Sequence, residues 1–271
     1  MTTIAHLSDL HFGRLDEKVA EILLEELHSQ RPDVIVVSGD FTQRARRREF
    51  EAARNYVARF PSRPLMVPGN HDVPTFNLLE RFIRPTARFR HWLEKERYPR
   101  QDHASVSLLG INTARPGGWY TDWSRGRISS EQLSTIQQRF RGHEELGVRI
   151  LVTHHPFLFP PEQEGRHLVK GPKDTLESLA SCGVDLVLAG HFHRAWSDLV
   201  ATRHPEVPSI VVAQASTSTS TRLKTEPNAY NWIEVDLPSL HITSHEWREG
   251  RFASTVSKAY RRDGGGWTRT E

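Results

Sequence analysis

Leu65-Met66-Val67-Pro68-Gly69-Asn70-His71-Asp72 decides how the rest of the chain is read. Three apolar residues make a short strand, Pro-Gly stops it, and an amide, an imidazole and a carboxylate follow in consecutive positions. Such a turn lies at the carboxyl end of its strand, where open α/β sheets place their ligand sites. Together the three polar groups can bind a metal, protonate a leaving group and orient the proton donor. The pentapeptide is also what an ordinary turn looks like, because Asn and Asp favour turn backbone. Its meaning depends on the residues that end the other strands.

Upstream, Ile4 to Ser8 reads as a strand, and Asp16 as the N-cap of a helix with Val19, Ile22, Leu23 and Leu27 on its core face. Val34 to Val37 has the unbroken apolar character of a strand buried on both faces. A second helix over Arg47 to Arg59, with Phe50, Ala53, Val57 and Phe60 inward, leads into Leu65 to Val67. This βαβαβ order predicts right-handed crossovers and a parallel sheet with helices outside it.

Downstream, Phe76 to Arg97 is helical but broken at Pro85, with Phe82, Phe89, Trp92 and Leu93 read as core. The stripe Arg81, Arg84, Arg88 reads as a solvated helix face, or else as a surface for phosphate. Strands are expected at Ser105 to Leu108 and Leu109 to Asn112. An aromatic loop with Trp119, Tyr120 and Trp123 comes next, then a helix capped by Ser129 or Ser130. The second half alternates a strand (Val148 to Thr153), a Pro-rich loop (Pro156 to Pro172), a helix (Lys173 to Ser181) and a strand (Val184 to Ala189). Mostly strands come after these, and Ser216 to Thr221 reads as a loop. One domain is expected over residues 1–262, with Gly264-Gly265-Gly266 beginning a disordered tail over 263–271.

With 37% apolar and 25% charged residues, 271 residues can bury a real core. The single cysteine, Cys182, excludes an internal disulfide framework and reads as a small buried apolar residue. No apolar run reaches the ~18 residues of a membrane span, and the chain opens on a strand instead of a signal peptide. These features predict a cytoplasmic protein. A formal charge of +3 suits anionic substrates without demanding nucleic acid. The 15 histidines matter more, because neutral imidazole is the commonest metal-binding side chain.

Five strand ends carry potential metal ligands: Asp9 and His11, Asp40, Asn70-His71-Asp72, His154-His155, and His191 with His193. Carboxyl ends of parallel strands lie along one edge of a sheet, so these residues converge. Their oxygen and nitrogen ligands suffice for two divalent ions about 3.5 to 4 Å apart, a clamp suited to phosphoryl transfer. There one ion makes hydroxide available near neutral pH, while both neutralise phosphate oxygens. The absence of cysteine ligands argues against structural zinc and suits manganese, iron or catalytic zinc.

The series D-x-H, G-D, G-N-H-D, H and G-H-x-H, in order from Asp9 to His193, resembles the calcineurin-like binuclear metallophosphoesterases. Within them the layout and His6-Leu7-Ser8-Asp9-Leu10-His11-Phe12-Gly13 most resemble bacterial class III cyclic-nucleotide phosphodiesterases. The resemblance spans roughly residues 3 to 250. It implies an α/β, four-layer αββα sandwich of two mixed sheets flanked by helices. One metal would be held by Asp9, His11, Asp40 and His193, and the other by Asp40, Asn70, His154 and His191, with Asp40 bridging. His71 would bind phosphate or protonate the leaving oxygen, and Asp72 would hydrogen-bond His71. His155 would sit behind the ligands or merely shape the loop before Pro156. Arg44, four residues after Asp40, matches a phosphate-binding arginine of the protein Ser/Thr phosphatases, although many cyclic-nucleotide enzymes lack one there.

The expected reaction is hydrolysis of a small phosphodiester, cyclic AMP foremost. Alternatives are a DNA or RNA nuclease, a phosphomonoesterase or pyrophosphatase, and a non-catalytic scaffold, against which the full ligand set argues. The Trp119/Tyr120/Trp123 loop would stack a base, or serve as a lid or homodimer contact.

Overall fold

The computed structural model describes residues 1–117, 125–141, 147–160, 169–208, 210–223, 226–264 and 266–270. Its strands in chain order are β1 (Thr2–Leu7), β2 (Val34–Val37), β3 (Leu65–Met66), β4 (Arg100–His103), β5 (Val106–Gly110), β6 (Val148–Val152) and β7 (Leu186–Ala189). They continue with β8 (Trp196–Leu199), β9 (Val211–Gln214), β10 (Ala229–Asp236), β11 (Ser239–Arg248), β12 (Arg251–Asp263) and β13 (Gly266–Thr270). The helices are α1 (Glu17–Gln30), α2 (Arg47–Val57), α3 (Leu78–Ile83), α4 (Ala87–Trp92), α5 (Ser130–Phe140) and α6 (Pro172–Ser181).

Two mixed sheets result, ordered β13-β12-β11-β10-β1-β2-β3 and β4-β5-β6-β7-β9-β8. Within the first, β1, β2 and β3 are parallel neighbours, as the βαβαβ pattern predicts. Within the second, β5, β6, β7 and β9 are parallel. The period-two alternation of side chains sorts each strand between two layers. On β1 and β2, Ile4, Val34 and Val36 point between the sheets and pack with Val148, Ile150, Val152, Leu186 and Leu188. The intervening Ala5, Leu7, Ile35 and Val37 point outward onto Leu23 and Leu27 of α1 and Phe50 and Ala53 of α2. Leu151 and Val187 face the opposite way, onto Ile136 of α5 and Leu176 of α6. Helix, sheet, sheet and helix therefore stack in four layers, and the carboxyl ends of both parallel sets lie along one edge of the sandwich.

Local signals account for the helix starts. Asp16 Oδ1 accepts from the Val19 amide at 3.2 Å, and Ser129 and Gln132 form a reciprocal capping box at α5.

Four expectations fail. The tail is a strand: β13 pairs antiparallel with β12, and Trp267, only 1% exposed, donates its indole N–H to Asp185 Oδ1 at 3.2 Å. The glycines read as the start of disorder, but a single tryptophan reaching the second sheet orders the residues after them. The two strands expected over Ser105 to Asn112 are one, β5, paired with an edge strand, β4, whose Arg-Gln-Asp-His sequence has no apolar alternation to announce it. Phe82 is 57% exposed, because α3 turns Arg81 inward in its place. Arg81 is correspondingly buried, donating to the carbonyls of Pro74 and Pro116, so it is no part of a solvated face. The Trp119/Tyr120/Trp123 loop lies outside the described residues.

Candidate metal centre

Asp9, His11, Asp40, His191 and His193 all adopt positive φ, between 50° and 77°. Asp and His tolerate this region better than most residues, yet it still costs energy, and it turns each side chain sharply away from its strand. Two glycines permit the close approach of neighbouring loops. A Cβ on Gly69 would overlap Asp40 Oδ1, and one on Gly190 would overlap Ser8 Oγ beside Asp9. The glycines of G-N-H-D and G-H-x-H are thus demanded by packing against the acids of the other motifs.

The side chains meet in two linked groups. In the first, Asp9 Oδ1 lies 3.1 Å from His193 Nε2 and 3.5 Å from His11 Nε2, and the two Nε2 atoms are 3.2 Å apart. In the second, Asn70 Oδ1 is 3.1 Å from both His154 Nε2 and His191 Nδ1. Asp40 lies between them, its Oδ2 3.8 Å from His11 Nε2 and 3.4 Å from His154 Nε2. Its Oδ1 accepts the His71 amide at 2.8 Å. Backbone carbonyls set the tautomers: His154 Nδ1 donates to Ser38 O at 2.8 Å and His193 Nδ1 to Arg222 O at 3.3 Å. Each turns Nε2 toward the acids.

Burial would raise both acids. For Asp9, His193 and His11 outweigh burial and hold the carboxyl well below its usual range, as His154, His71 and His11 do for Asp40. Burial would lower His154, but Asp40 wins and lifts it to about 9. Burial, with His191 and His154 beside it, holds His155 well below its ordinary value.

Among the described residues Asp9 Oδ1 and His11 Nδ1 are buried without a hydrogen-bond partner, while His11 and His193 turn ring nitrogens toward each other. Oxygen and nitrogen lone pairs thus converge with too few protons between them. Divalent cations satisfy such a donor set, and the residues fit them.

Around this centre the structure corrects two expectations. Asp72 does not touch His71. It accepts from the amides of Phe41, Thr42 and Gly69 and from Thr42 Oγ1, tying the loop after β2 to the loop after β3. Burial and the charge of Asp40 push it up to about 7, against those donors. His71 is instead held through Nδ1 by the Gln43 carbonyl at 2.8 Å, its ring edge-on to His11 with centroids 5.0 Å apart. Arg44 is exposed, its guanidinium over the Phe76 ring at 5.9 Å from the centroid; the arginine that reaches His71 is Arg222, whose Nη1 lies 2.9 Å from Nε2. His155 is buried behind His154 and His191, with Nδ1 on Thr113 Oγ1 at 2.9 Å and Nε2 unpartnered.

Sequence reasoning also missed the Ser/Thr loop, which is almost wholly buried. Thr217 Oγ1 donates to Asp9 O at 2.6 Å, Thr219 Oγ1 to Leu10 O at 3.1 Å, and the Ser218 amide to Ser8 O at 2.9 Å. Those bonds hold the backbone that carries Asp9 and His11. The signal was available, since this loop comes after β9, another parallel strand end.

The calcineurin-like phosphoesterase profile matches residues 2–195. The chain belongs to that family. This calcineurin-like phosphoesterase is therefore a metal-dependent phosphoric ester hydrolase. It is 25% identical over 206 residues to a probable cyclic nucleotide phosphodiesterase from Synechococcus, covering 72% of this chain and 74% of that one. It is 30% identical over 145 residues to the glycerophosphodiester phosphodiesterase GpdQ of Enterobacter lignolyticus, covering 46% and 51%. Among solved structures, yellow lupin purple acid phosphatase PPD1 shares the fold with a TM-score of 0.68 at 12% identity, over 97% of this chain and 54% of that one. The matched segment thus covers about half the length of GpdQ, and this chain about half the length of the lupin protein. No helix among the described residues of this phosphoesterase is long and apolar enough to cross a membrane.

Proposed function

We propose that this enzyme hydrolyses small phosphodiesters, with a 3′,5′-cyclic nucleotide such as cyclic AMP as substrate and the 5′-nucleotide as product. The observation that carries the reading is the placement of Asp40 between two ligand groups gathered from five strand ends. Asp9, His11, Asp40 and His193 would hold one divalent ion, and Asp40, Asn70, His154 and His191 a second, manganese or iron being best suited. Bound there, the ions would neutralise phosphate oxygens and acidify a water. Water attacks phosphorus in line as the P–O3′ bond breaks, and the departing oxygen takes a proton. His71 is the donor: Gln43 O holds Nδ1–H, which leaves Nε2 as the nitrogen directed at substrate. Asp72 acts at a distance, fixing the loops that carry Asp40 and His71.

The phosphodiester preference draws on the activities for which the Synechococcus and Enterobacter relatives are named. A nuclease has less support, because Arg81 and Arg88, from the stripe that would grip a strand, are spent on Pro74, Pro116, Glu80 and Ala45. The single cysteine favours a cytoplasmic setting.

The test is one panel of the manganese-loaded enzyme against cyclic AMP, bis-p-nitrophenyl phosphate, p-nitrophenyl phosphate and single-stranded DNA, from roughly 50 to 200 mM salt. Both diesters should be cleaved faster than the monoester, with little salt dependence. Salt-sensitive cleavage of DNA without hydrolysis of cyclic AMP would replace this reading with the nuclease.

A further inference from the structure

Resting on the phosphoryl-transfer reading above, we propose that Arg222 is the phosphate-binding arginine of this site. Its guanidinium donates from Nη1 to His71 Nε2 at 2.9 Å, and the side chain stands exposed at the mouth of the centre. A guanidinium carries five N–H donors and no acceptor, so one contact to an imidazole nitrogen leaves most of them to spare. Among the described residues Arg222 has no acidic partner. Three of the other arginines expected to meet phosphate are engaged elsewhere, Arg44 over Phe76, Arg81 on two carbonyls, and Arg88 on Glu80 and the Ala45 carbonyl. The fourth, Arg84, is exposed at the carboxyl end of α3, with no contact to the centre among the described residues.

The backbone beneath Arg222 is firmly held. Its amide donates to Ser220 Oγ at 3.0 Å, and its carbonyl accepts from His193 Nδ1 at 3.3 Å. Thr221, immediately before it, is tied to the Arg14 carbonyl through both its amide at 2.7 Å and its hydroxyl at 3.0 Å. A fixed main chain thus presents a charged head with unused donors beside the imidazole assigned to the leaving oxygen. The planar fork matches two oxygens of a phosphate, and a charge-assisted pair is stronger than the contact to the imidazole that it would replace, which frees His71 Nε2 to carry the proton for the leaving oxygen. A non-bridging phosphate oxygen arriving at His71 therefore accepts from the N–H groups of Arg222. The same loop that positions Asp9 and His11 through Thr217 and Thr219 then also supplies an anion contact.

The probe is inorganic phosphate, titrated at equilibrium into the manganese-loaded protein for the wild type, Arg222→Ala and Arg222→Lys, with metal content measured on each sample. Arg222→Ala should bind phosphate roughly 10- to 100-fold more weakly at unchanged metal content. Arg222→Lys should recover part of the loss, since it keeps the charge without the fork. Unchanged phosphate affinity in Arg222→Ala would overturn the proposal. So would loss of metal together with phosphate, which would assign Arg222 to supporting His193, and so would failure of the wild type to bind phosphate. The two readings separate: a wild type that cleaves no phosphodiester, yet loses phosphate in Arg222→Ala, sinks the proposed activity and leaves the arginine standing. Cleavage by the wild type with phosphate affinity unchanged in Arg222→Ala does the reverse.

Discussion

Within the first sheet, β1, β2 and β3 are parallel strands of 6, 4 and 2 residues, whereas β10 to β13 are antiparallel strands of 8, 10, 13 and 5 residues. The parallel set gives up ladder hydrogen bonds early, so that the chain can swing its polar residues to the carboxyl edge. Of the nine described non-glycine residues with positive φ, Asp9, His11 and Asp40 follow this parallel set and His191 and His193 follow β7 of the other sheet, all at the centre. Among its described residues the β10–β13 ribbon holds only Glu249, in a tight turn. Strain of about 1–3 kcal/mol per such residue thus collects where these Asp and His side chains converge. The unpartnered Asp9 Oδ1, His11 Nδ1 and His155 Nε2 lie there too, while the ribbon buries one such atom of its own, Ser244 Oγ. The ribbon, by contrast, closes the core with Tyr260 and Trp267 and meets the centre through the backbone of Ala229, which binds Thr217 and Ser218 of the loop behind Asp9. One sheet therefore divides its work between an edge that stores cost and a ribbon that supplies stability.

The largest separation should come from His71→Ala at the costly edge. Turnover of cyclic AMP should fall roughly 10²- to 10⁴-fold at unchanged metal content, with a smaller loss on a p-nitrophenyl ester, whose leaving group needs no proton. Equal losses on both substrates would remove His71 from the donor role. In the ribbon, Trp267→Ala should cost about 3–5 kcal/mol in urea unfolding while the folded enzyme keeps its turnover. A variant of normal stability with lost activity would show that the ribbon is not separate from the centre.

His6 sharpens the comparison, because it lies on β1, the strand common to both halves. Asn231 Nδ2 donates to its Nδ1 at 3.3 Å, and its Nε2 meets Ser38 Oγ at 2.9 Å, so this is a satisfied core histidine. Burial pushes it from 6.5 to about 3, with the charge of Asp9 opposing. The unfolded chain takes up a proton near pH 6.5 that the fold refuses until about pH 3. Stability present above pH 6.5 is therefore lost as pH falls through that window, by up to about 1.4 kcal/mol per unit. Urea unfolding between pH 6.5 and 4 should show a shallower slope for His6→Gln than for the wild type, and identical slopes would contradict the assignment.

Much of this was legible in the sequence because it depends on residue type and period. Ile4, Val34 and Val36 alternate with Ala5, Ile35 and Val37, which fixes the layers, and ligand chemistry at each strand end marks Asp9 through His193. The illegible remainder depends on direction and on backbone partners. Asp72 leaves a short 3₁₀ turn pointing back at the loop after β2, and no spacing rule distinguishes that from pointing at His71. The partner of His71 is the carbonyl of Gln43, and every residue has a carbonyl. Arg222 stands 151 residues from the histidine it reaches. The tail became a strand through one tryptophan, too little apolar pattern to read in advance.

The central claim, that Asp40 joins two metal positions into one centre, is tested most directly by metal content. Wild-type protein and Asp40→Asn, each loaded with manganese and freed of excess, would be compared by elemental analysis alongside hydrolysis of bis-p-nitrophenyl phosphate. Two equivalents per chain with activity in the wild type, and loss of metal from both positions together with activity in Asp40→Asn, is the predicted result. Full wild-type activity at one equivalent per chain, or an Asp40→Asn protein that keeps both metals and its turnover, would contradict it.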